Sequence, residues 1–213
     1  MATTFEGSAR ERLLAAANEL FYAEGIHTVG IDRVIERAGV AKASLYAAFG
    51  SKEELVRAYL ELRSNARRER ITRRLETLEG PRARILGIFD LMGETVSAPA
   101  FRGCAFVNAS AEGPRDPGKS DKIAQVCDGS RAWLRGVFID LSRQLGARDA
   151  EHLGRQLTLL YDGAMVGASV DRDPGVAAEA RRAAELLLES YARAPARTAS
   201  TASTASTKKA RRS

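Results

Sequence analysis

The sequence predicts an all-α protein of about nine helices, in which a small amino-terminal unit precedes a larger helical bundle. Apolar residues recur at intervals of three and four along most of the chain, as on one face of a helix. The alternation typical of a half-buried β-strand is almost absent, and glycines and prolines interrupt the helical stripes. A chain of 213 residues is long enough to bury a core in one or two domains.

The first helix is predicted to begin at Ser8, because Glu11 stands three residues further on. In such a capping box, each side chain satisfies the free backbone amide of the other residue. An apolar stripe then runs from Leu13 to Phe21, and Gly25 ends the helix.

Residues 30–49 have the dimensions of a helix-turn-helix. A short apolar stripe closes at Gly39, where a left-handed residue is favoured, and a second segment of two turns ends at Gly50. We expect Leu45 and Phe49 to anchor this second helix inward. Its opposite face would then be free to enter the major groove of DNA, which is wide enough for a helix.

A longer fourth helix follows, and Ser51 and Glu54 predict a second capping box at its start. Its stripe predicts that Leu55, Tyr59 and Leu62 face inward and that Arg63, Arg67, Arg68 and Arg70 face outward. Beyond Gly80-Pro81, further helices are predicted at 81–97, 104–112, 119–146, 149–170 and 174–193.

The net charge of +6 lies almost wholly at the carboxy terminus. Residues 195–213 carry five Lys or Arg and no Asp or Glu, whereas residues 1–50 carry five basic and six acidic groups. The tail also contains three Thr-Ala-Ser triplets, which offer nothing to bury, so we predict that it is disordered. The basic balance alone therefore does not identify the amino-terminal unit as DNA-binding.

Composition also excludes several classes of protein. Charged residues near the amino terminus argue against a signal peptide, and the apolar stretch 157–170 is too short to span a bilayer. Two cysteines are too few for a disulfide scaffold, and the Cys and His residues lack the spacing of a zinc site. We therefore expect a cytoplasmic protein with no metal and no cofactor.

Several segments in and around the helix-turn-helix resemble the amino-terminal domain of the tetracycline-repressor (TetR) family. The resemblance covers about 50 contiguous residues. The segments that carry it are 14–21 (LAAANELF), Gly25-Ile26, 31–40 (IDRVIERAGV), 44–46 (SLY), Phe49 and 51–55 (SKEEL).

The resemblance implies a bacterial DNA-binding regulator without catalytic activity, and we expect it to be a repressor. Family members are homodimers that bind double-stranded palindromic operator DNA, and a small-molecule effector relieves the binding. Residues 1–52 would form the DNA-binding domain and residues 53–194 the domain for ligand binding and dimerisation. The dimer would form through the last two helices, with Leu157, Leu160, Ala164, Ala168, Ala183, Leu187 and Tyr191 at the interface.

The resemblance also assigns candidate DNA contacts to this chain. They are Gly30, Ile31, Ala41, Lys42, Ala43, Ser44, Tyr46 and Lys52. Where Gly30 stands, the family often has Thr, which caps the supporting helix and touches a phosphate. Ala47 and Ala48 replace larger residues, which removes two possible base-reading groups.

A candidate effector pocket follows from the same family context, because ligand sites often lie between the helices of a bundle. Aromatic and methionine residues of the middle helices would line it, although such residues at helical spacing equally form plain core. They are Phe89, Met92, Phe106, Trp133, Phe138 and Tyr161. Cys104 invites a second interpretation, as a redox-sensing thiol or as a small buried residue.

Two alternative functions stay open on the sequence. Residues 113–120 (GPRDPGKS) fit the P-loop pattern of nucleotide-dependent enzymes. That loop needs a strand before it and free backbone amides, whereas here a helical pattern precedes it and two prolines stiffen it. The other alternative is a ligand-binding helical protein that has lost DNA binding, which Ala47 and Ala48 would explain.

Removal of residues 195–213 should lower affinity for non-operator DNA and flatten its dependence on salt, because five cations are lost. Operator preference should be unchanged, since base contacts carry it. Titrating full-length and trimmed protein against operator and scrambled duplexes at several salt concentrations measures both quantities. Loss of preference on trimming would show that the tail itself reads sequence.

Overall fold

The computed structural model describes residues 7–112 and 122–191, which contain nine α-helices and no strand. The helices are α1 (Ala9–Glu24), α2 (Ile31–Ala38), α3 (Lys42–Phe49), α4 (Lys52–Glu76), α5 (Pro81–Val96), α6 (Ala105–Glu112), α7 (Lys122–Gln144), α8 (Ala150–Val170) and α9 (Val176–Tyr191). The predicted all-α class is confirmed. The P-loop-like segment 113–120 and the tail 195–213 lie outside the described residues.

One of the two predicted capping boxes is complete. The Glu11 amide donates to the Ser8 hydroxyl at 3.3 Å, and the Ser8 amide donates to the Glu11 carboxylate at 2.8 Å. At α4, the Glu54 amide donates to the Ser51 hydroxyl, but the Glu54 carboxylate accepts from Arg57 and Lys122 instead. The second box is therefore half formed, because charged donors bind a carboxylate more strongly than a neutral amide does.

The buried side chains form two hydrophobic clusters, and α4 contributes to both. The amino-terminal cluster joins α1, α2, α3 and the first half of α4, and it includes Phe106 of α6 and Cys127 of α7. The carboxy-terminal cluster joins the second half of α4 to α5, α7, α8 and α9 around Phe89 and Phe138. Because α6 and α7 supply part of its core, the amino-terminal unit is packed directly onto the bundle.

Helix α4 is covered on more sides than its apolar pattern predicts. Four arginines expected to face outward, Arg63, Arg67, Arg68 and Arg70, are half-buried. Two of them lie over aromatic rings, Arg63 over Tyr22 and Arg68 over Trp133. The other two donate hydrogen bonds, Arg67 to Ser130 and Arg70 to Thr95. Leu62, expected to face inward, is 41% exposed. The prediction was wrong here, because α1, α5 and α7 also pack against α4 and long arginine stems can line such contacts.

The apolar faces of α8 and α9 are used mainly inside the chain. Leu157, Ala164, Ala168 and Tyr191, expected at a dimer interface, are at most 8% exposed and belong to the carboxy-terminal cluster. For these four residues the expectation was wrong, since the core of the bundle already buries their side chains, whereas Leu160, Ala183 and Leu187 are half-buried. The large apolar side chains left exposed on these two helices are Leu159, Val166, Val170 and Leu186. No helix in the described ranges is both long and apolar enough to cross a membrane.

Helices α7 and α8 approach each other closely at Gly154. A Cβ atom at Gly154 would lie 2.8 Å from both the backbone nitrogen and the Cα of Ile139. Neither backbone atom can move without shifting the whole of α7. Gly154 therefore sets the spacing of the two helices.

Gly154→Ala should destabilise the protein by about 1–3 kcal/mol, although alanine favours helix more than glycine does. Gly129→Ala on α7 is the matched control, because no atom lies within 4 Å of the added Cβ. The control should gain about 0.5–1 kcal/mol. Urea denaturation at fixed protein concentration measures both, and equal effects would contradict the close approach.

Candidate DNA-binding surface

A tight turn sets the position of α3 against α2. Gly39 adopts the left-handed conformation (φ 62°, ψ 45°), and its amide donates to the Glu36 carbonyl at 3.1 Å. The following amide, of Val40, donates to the Ile35 carbonyl at 3.3 Å. Glycine adopts this conformation without strain, so the residue at position 39 fixes where α3 begins.

Helix α3 is anchored by one side and exposed on the other. Leu45 is fully buried in the amino-terminal cluster, which stabilises the unit by about 1.5–3 kcal/mol, and Phe49 is half-buried. Both anchors predicted from the sequence are confirmed. Lys42, Ala43, Tyr46 and Ala47 are exposed, together with Ala41 just before the helix, whereas Ser44 is half-buried.

The exposed face of α3 therefore carries few long side chains. Alanine occupies positions 43 and 47, and the polar groups exposed on this face are the Lys42 ammonium and the Tyr46 hydroxyl. Tyr46 is 47% exposed, so its hydroxyl lies on the surface of α3. Small residues let the helix backbone approach base edges closely, so the geometry suits the major groove.

Lys42 pairs with a carboxylate that the sequence-based assignment overlooked. Its Nζ lies 3.0 Å from Oδ1 of Asp32, in the first turn of α2. The hydrogen bond and charge of Asp32 raise the pKa of Lys42 above its ordinary value. One feature of the sequence indicates that Asp32 lies on this surface. Asp32 stands next to the candidate contact Ile31, in the first turn of the helix that Gly30 caps.

The other candidate contacts lie at the edges of this face. Gly30 is exposed and caps α2 without a side-chain hydrogen bond, so the first-turn amides of α2 are open to a phosphate. Ile31 is half-buried. Lys52 donates to the Ile26 carbonyl at 2.7 Å, and partial burial lowers the pKa of this lysine. A phosphate contact by Lys52 stays a prediction.

The positive charges of residues 7–52 are largely satisfied within the chain. This stretch has six Lys or Arg and five Asp or Glu. Besides Lys42, two arginines form ion pairs, Arg33 with Glu24 and Arg37 with Glu19. Besides Lys52, two more have neutral partners, since Arg12 donates to the Gly39 carbonyl and Arg10 lies over the Phe49 ring. Pairing with Arg33 lowers the pKa of Glu24. The unit therefore offers DNA a weak electrostatic field.

The six candidate effector residues do not form one group. Phe89, Phe138 and Tyr161 contact one another with ring centroids 5.7–6.4 Å apart, and Met92 lies in the same cluster. Burial raises the pKa of Tyr161 to about 12. Phe106 belongs to the amino-terminal cluster instead. Trp133 is half-buried and lines an open cleft of about 340 Å³ with Arg68, Glu69, Thr72 and Arg73.

Contacts between the helix-turn-helix unit and α6 were not foreseen. The Tyr22 hydroxyl donates to the Gly103 carbonyl and accepts from the Arg102 amide, both at 3.1 Å. The His27 amide donates to the Glu112 carboxylate at 2.8 Å. These partners lie about 80 residues apart in the chain, so no periodic pattern could have revealed them. The Tyr22 contacts attach α1 to the loop before α6, and the His27 contact attaches the turn before α2 to the end of α6.

Comparison with known proteins agrees with this geometry. Residues 13–59 match the family described as bacterial regulatory proteins, tetR family. The crystal structure of SCO4454, a TetR-family transcriptional regulator from Streptomyces coelicolor, superposes with a TM-score of 0.81 at 34% identity, over 87% of this chain and 96% of that one.

Two regulators of known activity are also similar. The transcriptional activator FasR of Mycolicibacterium smegmatis is 29% identical over 168 residues, which are 76% of this chain and 69% of FasR. The transcriptional repressor NemR of Escherichia coli K12 is 34% identical over 109 residues, half of this chain and 55% of NemR. The match therefore spans about half the length of NemR.

Lys42→Ala and Tyr46→Ala should each weaken binding to the DNA upstream of the protein's own gene at least about fivefold, because each removes a polar contact. Arg82→Ala is the control, since Arg82 lies at the start of α5 and pairs only weakly with Glu189, at 3.4 Å. Fluorescence anisotropy with a labelled duplex measures the dissociation constants. Unchanged binding by both variants would show that α3 is not the recognition helix.

Proposed function

The chain belongs to the TetR family of bacterial DNA-binding transcriptional regulators, and we propose that it is a repressor released from its operator by a small-molecule effector. The observation that carries the proposal is the exposed face of α3, with Lys42 and Tyr46, on a unit packed directly against the bundle. Among the similar proteins NemR is a repressor and FasR an activator, so the reporter experiment below decides the direction of regulation. The protein would work in the bacterial cytoplasm, where chromosomal DNA lies.

The regulator would act as a homodimer on double-stranded palindromic DNA. A stripe along one face of α8 supports this, since Leu159, Gly163, Val166 and Val170 are all exposed and follow one another at intervals of three and four. Leu186 adds an exposed apolar side chain on α9. A second copy would bury this stripe against its own, as in a two-fold symmetric interface. The two α3 helices would then read half-sites one helical turn apart.

Release by an effector would follow from the shared packing of α6 and α7. Both helices supply side chains to the amino-terminal cluster, and α6 holds the His27 amide through Glu112. An effector that binds better to a bundle with α6 or α7 displaced would favour a dimer whose α3 helices no longer fit the operator. Operator affinity would fall by the ratio of the two effector affinities.

Two places in the bundle are candidates for the effector site. One is the aromatic group of Phe89, Phe138 and Tyr161 with Met92, and the other is the cleft beside Trp133. The domain boundaries at residues 52 and 194 also stay part of this proposal.

We do not propose catalysis. A P-loop enzyme needs a strand that feeds its loop, and the described residues that precede and follow segment 113–120 are helical. The similar proteins are transcriptional regulators.

Val166→Asp should convert the dimer to a monomer and reduce repression of a reporter fused to the upstream DNA at least about tenfold, because it places two carboxylates in an apolar interface. Val107→Asp on α6 is a matched control, since Val107 and Val166 are both 41% exposed. Sedimentation equilibrium gives the mass and reporter activity gives the repression.

Three results would count against the proposal. A reporter that wild-type protein activates would contradict repression, and one that it leaves unchanged would contradict regulation of this DNA. A Val166→Asp protein that stays dimeric would move the interface away from the exposed stripe of α8.

A further inference from the structure

The DNA-facing surface carries a carboxylate in an unexpected place. The Asp32 side chain is 79% exposed, and its Oδ1 lies 3.0 Å from Nζ of Lys42, whose side chain is 57% exposed. DNA presents one negative charge about every 1.7 Å of its axis, so a carboxylate on this face repels the ligand. Asp32 therefore opposes the binding that Lys42 supports.

The repulsion by Asp32 matters because the helix-turn-helix unit carries little net positive charge. Residues 7–52 have one more Lys and Arg than Asp and Glu, and the other cations already have partners within the chain. Lys42 is the one cation on the exposed face of α3. While it is paired with Asp32, that face offers a phosphate no net positive charge.

We propose that Asp32 is a specificity-determining residue. On non-operator DNA Lys42 stays in the ion pair with Asp32, and it leaves the pair to contact DNA only when base contacts form. Exposed ion pairs are weak in water, so a docked operator can separate this pair. In that complex, base contacts by α3 fix a register in which Lys42 meets DNA. On other DNA sequences these base contacts are missing, and Lys42 stays paired with Asp32. The inference rests on the proposed role of α3.

Loss of the Asp32 carboxylate should change the affinity for operator DNA and the affinity for non-operator DNA by different amounts. Non-specific binding is almost wholly electrostatic, and each phosphate neutralised by a cation adds about 0.9 to the slope of log K against log salt. Freeing Lys42 gives a non-specific complex a contact that it lacked. In an operator complex Lys42 already contacts DNA. Loss of the Asp32 carboxylate therefore only removes its repulsion of the DNA phosphates.

The experiment compares Asp32→Asn with wild-type full-length protein on the upstream duplex and on a scrambled duplex of equal length and composition. Affinity for the scrambled duplex should rise about threefold to fivefold, and its salt slope should steepen by about one. Affinity for the upstream duplex should rise no more than about twofold, with no change in slope. The ratio of the two affinities therefore falls.

Two further variants isolate the cause. Glu36→Gln removes one carboxylate from the same helix, but Glu36 lies one turn further on and acts electrostatically on Arg33. It should leave the affinity ratio unchanged. In a Lys42→Gln background, Asp32→Asn should no longer steepen the slope, since the cation it frees is absent. Circular dichroism should show a fall in Tm of no more than about 3 °C for Asp32→Asn.

Equal gains on both duplexes would overturn the inference, as would a gain that persists in the Lys42→Gln background or that Glu36→Gln reproduces. A wild-type protein without preference for the upstream duplex would instead contradict the proposed function on that DNA. A wild-type preference that Asp32→Asn leaves intact would contradict only the inference about Asp32.

Discussion

The two ends of α4 are buried in different hydrophobic clusters, and the rest of the structure depends on this shared helix. Leu55 and Leu60 are fully buried with the helix-turn-helix, whereas Ile71 is 2% exposed within the bundle. The helix has 25 residues and is about 37 Å long at 1.5 Å per residue. A small tilt at its second half therefore becomes a displacement of ångströms at its first. Packing at α5 and α7 sets the position of the DNA-facing surface.

The arginines of α4 show how the shared helix accommodates two environments. Arg67 donates to the Ser130 carbonyl at 2.6 Å and lies over Phe106, so one side chain bridges α4, α6 and α7. The cation gains polar partners at its tip while its stem covers apolar surface. These cations join α4 to its neighbouring helices and lie outside the exposed face of α3. Recognition by α3 must therefore depend on shape and on the few polar groups around Lys42 and Tyr46.

Sequence patterns predicted the features of this fold that are local in the chain. The boundaries of α2 and α3, the left-handed Gly39 and the inward Leu45 all depend on residues within a few positions of one another. The box at Ser51 was half wrong because two cations, Arg57 in the same helix and Lys122 far along the chain, bind the Glu54 carboxylate. The same reasoning could not find the Asp32–Lys42 pair, whose two residues belong to different helices.

By itself, the sequence determined the helices, the turn between α2 and α3, and the family to which the reading unit belongs, because periodicity, caps and glycine conformation act over a few residues. Only the tertiary structure decided which sides of α4, α8 and α9 are buried, since several helices compete for the same apolar faces. It also decided which cations are free. A charge counts toward DNA binding only if no partner inside the chain neutralises it, and for Lys42 that partner is Asp32.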